Sequence, residues 1–107
     1  MTTWSVRAPD AGMADALDDI VSERAQQDEK WGQQNHALTV WLAILTEEVG
    51  EVAEAILHAR PRVGKDRGYD GIPEVRAELV QVAAVALAAL EYIDRDPEAA
   101  SLALDHR

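Results

Sequence analysis

Four carboxylates crowd into one short stretch of this chain, Leu45-Thr46-Glu47-Glu48-Val49-Gly50-Glu51-Val52-Ala53-Glu54-Ala55. On a helix turning about 100° per residue, Trp41, Ile44, Leu45, Val52 and Ala55 all fall within about 60° of Glu48. Glu48 therefore points into an apolar stripe, and Glu51, one turn on, stands at its edge. Glu47 and Glu54 lie farther round, toward solvent. A carboxylate on an apolar face is costly unless an Arg or Lys, a proton or a bound cation compensates it. Two acids three residues apart project side by side, which leaves little room for a separate Arg beside each. A hard divalent cation, which takes several carboxylate oxygens at once, answers both. The plain alternative is a solvated acidic face, and the position of Glu48 argues against it.

A second segment repeats the pattern. Between Pro73 and Asp94, Glu78 is flanked on the helical wheel by Val82, Val85 and Ala89, with Gln81 one turn on. If the two stripes face each other, three carboxylates and one amide converge. Helical bundles build metal sites in their cores in this way.

These residues need helices to position them. Asp10 is a candidate N-cap. From Ala11 to about Lys30 an amphipathic stripe of Met13, Leu17, Ile20, Val21 and Arg24 predicts a first helix, ended by Gly32. A connector carrying Asn35 and His36 leads to a second helix from about Thr39 to Ala59. Gly50, inside that helix, predicts a close helix contact on the side away from Glu48. Residues 60–72 read as a flexible loop without strand pattern, broken by Pro61, Gly64, Gly68 and Gly71. A third helix spans Pro73 to about Asp94. Its middle, Leu79 to Leu90, is apolar almost all round, which predicts burial on most sides. Asp96-Pro97 opens a short last helix to about Asp105. Residues 1–9 form a loose leader in which Trp4 is free to pack on the body. The expectation is a single all-α domain over 1–107, a bundle of three main helices plus a short C-terminal helix. Its core is small enough that dimerisation completes it.

Bulk composition narrows the partners. Twenty acidic against ten basic residues give a net charge of −10, which argues against nucleic acid or an anionic membrane as partner. Cysteine is absent, so neither disulfides nor thiolate metal sites arise. The first residues lack the apolar segment of a signal peptide, and the apolar run Val82 to Leu90 is too short to span a bilayer. A cytoplasmic protein is expected.

The motif Glu23-Arg24-x-x-Gln27-Asp28-x-Lys30-Trp31-Gly32-x-Gln34-x-His36, then Glu47-Glu48-x-x-Glu51, then Glu78-Leu79-x-Gln81-Val82-Ala83-Ala84-Val85, resembles the MazG-like, all-α nucleoside triphosphate pyrophosphohydrolases over about residues 20 to 95. The resemblance implies a homodimer or homotetramer. It also implies Mg²⁺-dependent (or Mn²⁺-dependent) cleavage of an NTP or dNTP to the monophosphate and pyrophosphate. It makes Glu48, Glu51 and Glu78 metal ligands, with Gln81 standing where most members carry Asp. An amide oxygen still ligates Mg²⁺ but brings no charge, so the site has three carboxylates instead of four.

Glu47 or a ligand such as Glu48 is the candidate to activate water. Trp31 is a candidate for base stacking, against a hydrophobic anchor at the end of helix one. His36 is a candidate for base or sugar contact, against a structural histidine. Lys30, Lys65 and Arg67 are candidates for phosphate contact, the last two set in a basic loop that also reads as a solvated linker. His58 falls near the Glu51 edge and reads as structural. Two other readings stand beside the hydrolase. One is a nucleotide binder without turnover. The other is a structural oligomer whose acids pair with Arg24 or Arg76.

Overall fold

A computed structural model describes residues 10–64, 67–98 and 100. Helices α1 (Ala11–Trp31), α2 (Leu38–His58) and α3 (Ile72–Arg95) make up the fold, which is all-α apart from one minimal ladder. The start of α1 is fixed by Asp10, whose side chain accepts from the Met13 N–H at 2.9 Å, the bond an N-cap supplies to an otherwise unpaired donor. Its end is fixed by Gly32 at φ 71°, whose N–H donates to the Asp28 carbonyl. That backbone conformation suits glycine, which has no Cβ to clash. Arg95, at the end of α3, holds the connector to α2 by donating to the Gln34 carbonyl at 3.0 Å and to Asn35 Oδ1 at 2.8 Å.

α3 is the central element, with α1 packed on one side and α2 on another. Trp41, Val85 and Ala88 form the buried centre, and Leu38, Ile44, Leu45, Ala89 and Tyr92 pack around it. Trp41 contributes the most apolar area, as large aromatic side chains do, and lies tilted against Tyr92 at 6.3 Å. The expected burial of α3 on most sides is not met. Ala84, Val85 and Ala88 are its only buried residues, while Leu79 and Leu90 are more than half exposed. Two neighbouring helices cover only two sides of it. Gly50 likewise makes no close contact: a Cβ there would meet nothing within 4 Å.

The loop between α2 and α3 is more ordered at its base than its composition suggests. Strands β1 (Arg60–Pro61) and β2 (Tyr69–Asp70) pair antiparallel, Arg60 with Asp70 and Pro61 with Tyr69. Two-residue strands have no alternation for a sequence reading to detect. Gly71 (φ 100°) closes this base, and a Cβ on it would stand 3.2 Å from Ala59 Cα. At the other end, Pro97 and Glu98 form a turn, with the Ala100 N–H donating to the Asp96 carbonyl. The rest of the expected C-terminal helix, the 1–9 leader with Trp4, and Lys65 lie outside the described residues. Among the described residues, no helix is long and apolar enough to cross a membrane.

Candidate metal centre and adjoining cleft

Glu48 and Glu51 stand one turn apart on α2, and Glu78 comes from the first half of α3. Because α2 packs along α3, the three side chains converge, with one carboxylate oxygen from each within 4.8 Å of the others. Glu48 and Glu78 are half-buried and Glu51 is exposed. Partial burial is the main force pushing the Glu48 carboxyl up to about 7; a hydrogen bond to Glu51 and the charges of Glu51, Glu78 and Glu47 add to it. Glu78 is raised as well, first by desolvation and then by the Glu51 charge. Both shifts report first the partial burial of the carboxyls and then the negative charge gathered beside them without a positive partner.

Arginines of these helices and the loop pair elsewhere. Arg24 donates to Glu91 at 2.7 Å and to Asp28 at 3.0 Å, and the Glu91 hydrogen bond holds its charge more firmly still. Arg76 pairs with Asp19 at 2.8 Å and Arg62 with Asp70 at 3.1 Å. The pairing of the converging acids with Arg24 or Arg76, which a structural oligomer requires, is therefore not what the chain does. Among the described residues no ion pair involves Glu48, Glu51 or Glu78. Carboxylate oxygens are the donors a hard divalent cation prefers, and a separation of no more than 4.8 Å lets one ion reach all three at its bond of roughly 2.0–2.6 Å to oxygen. The residues fit the ion.

A cleft of about 190 Å³ adjoins this centre, lined by Gln27, Trp31, Gln34, Trp41, Ile44, Glu48, Gln81 and Val85. Glu48 thus belongs to both the acidic centre and the cleft. Gln81 faces the cleft and also a neighbouring groove of about 300 Å³ shared with Gln27, Lys30 and Trp31. On the far side of the acids, Glu51, Glu54, His58, Glu74 and Glu78 border an open depression of about 510 Å³, so His58 does sit near the Glu51 edge.

Of the other candidates, Trp31 and Lys30 border the cleft or its neighbouring groove, whereas His36 and Arg67 line neither. Trp31 is 56% exposed, with the Lys30 ammonium 4.6 Å from its ring centroid, a cation–π contact. His36 packs edge-on against Trp41 at 5.0 Å, in the surroundings of the core. Glu47 is exposed beside Glu48, and Arg67 is exposed at the loop. Sequence reasoning passed over Gln27 and Gln34 as site residues. The signal was there for Gln27, which lies four residues before Trp31 and so on the same helical face. Comparisons with protein-family models, with curated proteins and with solved structures each found no match.

Proposed function

We propose that this chain is a Mg²⁺-dependent nucleoside triphosphate pyrophosphohydrolase. The observation that carries the reading is the convergence of Glu48, Glu51 and Glu78 from two helices with no cation among them. The motif resemblance supports it by supplying the reaction class. Mg²⁺ (or Mn²⁺), when bound, would neutralise charge developing on the phosphate oxygens. Glu48, Glu51 and Glu78 would hold it, their three charges exceeding its two by only one. Glu47 lies next to Glu48 and outside the trio, and takes the proton of the attacking water. The water oxygen bonds to the α-phosphorus, the α–β bridging bond breaks, and pyrophosphate leaves. Lys30 and the loop residues Lys65 and Arg67 supply positive charge to the phosphates. Trp31 presents an exposed aromatic face to the base.

A second copy of the chain completes the fold in this reading. Leu42, Val49 and Ile56, spaced seven apart along α2, are 63%, 51% and 55% exposed. A seam repeating every seven residues is what one helix offers another.

The test is pyrophosphate release from a panel of NTPs and dNTPs with Mg²⁺ and Mn²⁺, with Glu48→Gln as control. Release that disappears in the control supports the hydrolase. Nucleotide that raises the melting temperature without any release selects the binder, the reading that the uncharged Gln81 favours.

A further inference from the structure

The cleft's one charged lining residue, Glu48, belongs to the acidic centre, and the rest of its polar lining is amide and indole. Gln27, Gln34 and Gln81 are half-buried and line one cleft. Their side-chain amides make no hydrogen bond among the described residues. Trp41 lines the same cleft, is 4% exposed, and its indole N–H is buried without an acceptor. A buried indole N–H is ordinarily paired. Beside it, three amides from α1, the connector and α3 line the same cleft with no protein partner among the described residues, and so are available to a ligand that displaces their water.

The chemistry of the lining says which ligand. Each amide offers two donors and one acceptor, so the array suits a molecule that carries donors and acceptors side by side along one edge. Ile44, Val85 and the indoles of Trp31 and Trp41 suit a flat, weakly polar body. At about 190 Å³ the cleft lies below the roughly 300–1,000 Å³ of pockets that enclose a drug-sized ligand. It takes a ring and leaves the rest of the molecule outside. Glu48 at its border places any charged tail at the acidic centre.

We propose that the Gln27, Gln34 and Gln81 amides read the hydrogen-bonding edge of a nucleobase seated in this cleft. Gln81 is then a specificity-determining residue rather than a fourth metal ligand. This rests on the nucleotide reading above, and it assigns to the amides the choice among bases.

The experiment separates the two halves of the ligand. Ribo- and deoxynucleosides, which lack phosphate, are titrated at millimolar concentration into the full chain, followed by the side-chain amide signals in ¹H–¹⁵N spectra. Mg²⁺-tripolyphosphate, which lacks a base, is titrated separately. The same is done with Gln27→Leu, Gln34→Leu and Gln81→Leu. At least one nucleoside is expected to bind and to move the glutamine signals. Each variant should weaken it about fivefold, the weight of one neutral hydrogen bond, while shifting the Mg²⁺-tripolyphosphate Kd less than twofold. The proposal is overturned if no nucleoside binds or if the three variants bind it as well as the parent. It is equally overturned if Gln81→Leu weakens tripolyphosphate as much as nucleoside, since Gln81 is then a metal ligand. Nucleoside binding without tripolyphosphate binding upholds the amide proposal and removes the hydrolase.

Discussion

On the α1 side of α3, Arg24 lies between Glu91 and Asp28, its side chain only 11% exposed. On the α2 side, Glu48, Glu51 and Glu78 face one another with no cation among them. Both clusters set charge against the same helix. In the first, each acid oxygen engaged meets an N–H of the guanidinium, and the cluster ties α1 to α3. In the second, charge is compressed, and the nearest relief inside the chain is a proton shared between carboxyls. The difference separates a group that holds the fold from one that strains it, and strain of this kind collects at functional sites.

Substitutions should therefore act in opposite directions at the two clusters. The largest effect is expected for Glu48→Gln: pyrophosphate release falls by more than about a hundredfold, because a cation's charge stabilisation is worth several kcal/mol. The same variant should melt higher than the parent at pH 8 without metal, and Mg²⁺ should no longer raise its melting temperature. An unchanged Mg²⁺ response would show that Glu48 is not a ligand.

Arg24→Leu comes next, with stability lower by roughly 2 kcal/mol, the range of hydrogen bonds to charged groups, and a Mg²⁺ response that survives. Chemical denaturation with and without Mg²⁺ measures both. A variant as stable as the parent would mean that the Arg24 cluster does not tie the helices together.

The third effect is on pH. Glu48 is raised from 4.5 to about 7, so between these values the folded chain holds a proton that the unfolded chain has lost. Stability without metal should be highest below about 4.5 and fall as pH rises toward 7. Since the cation competes with that proton, Mg²⁺ should cancel the fall, and melting curves across this window compare the two conditions directly. A metal-free melting temperature that rises across the window would contradict the compression of charge.

The smallest effect is expected for Asp28→Asn. Arg24 keeps Glu91, and an exposed pair of this helical spacing is worth about 0.3–0.5 kcal/mol. A loss as large as that of Arg24→Leu would make Asp28, not Glu91, the anchoring acid.

The two clusters were not equally legible beforehand. Glu48, Glu51 and Glu78 could be read from the sequence because each departs from the apolar pattern of its own helix, and because α2 and α3 are neighbours joined by one loop. The helix limits were legible where a local signal sets them: Asp10 and Gly32 bound α1 within a residue. The Arg24–Glu91 bond joins residues 67 apart, and nothing in either segment announces the other. The convergence of Gln27 and Gln34 with Gln81 was hidden for the same reason, since it requires the connector to be folded back and held by Arg95. The exposure of Leu79 and Leu90 was missed because an apolar run reports only that a helix will be covered, not whether its own chain does the covering.

The paired base of the loop, Arg60 with Asp70 and Pro61 with Tyr69, sealed by Gly71 against Ala59, has a consequence for how this scaffold can change. It sets the exit of α2 and the entry of α3 independently of whatever lies between. Residues inside the Arg62–Gly68 hydrogen bond are in effect a replaceable cassette, which can be lengthened, shortened or given other charges without altering the spacing of Glu48, Glu51 and Glu78. The loop and the carboxylate centre can then change separately, by evolution or by design.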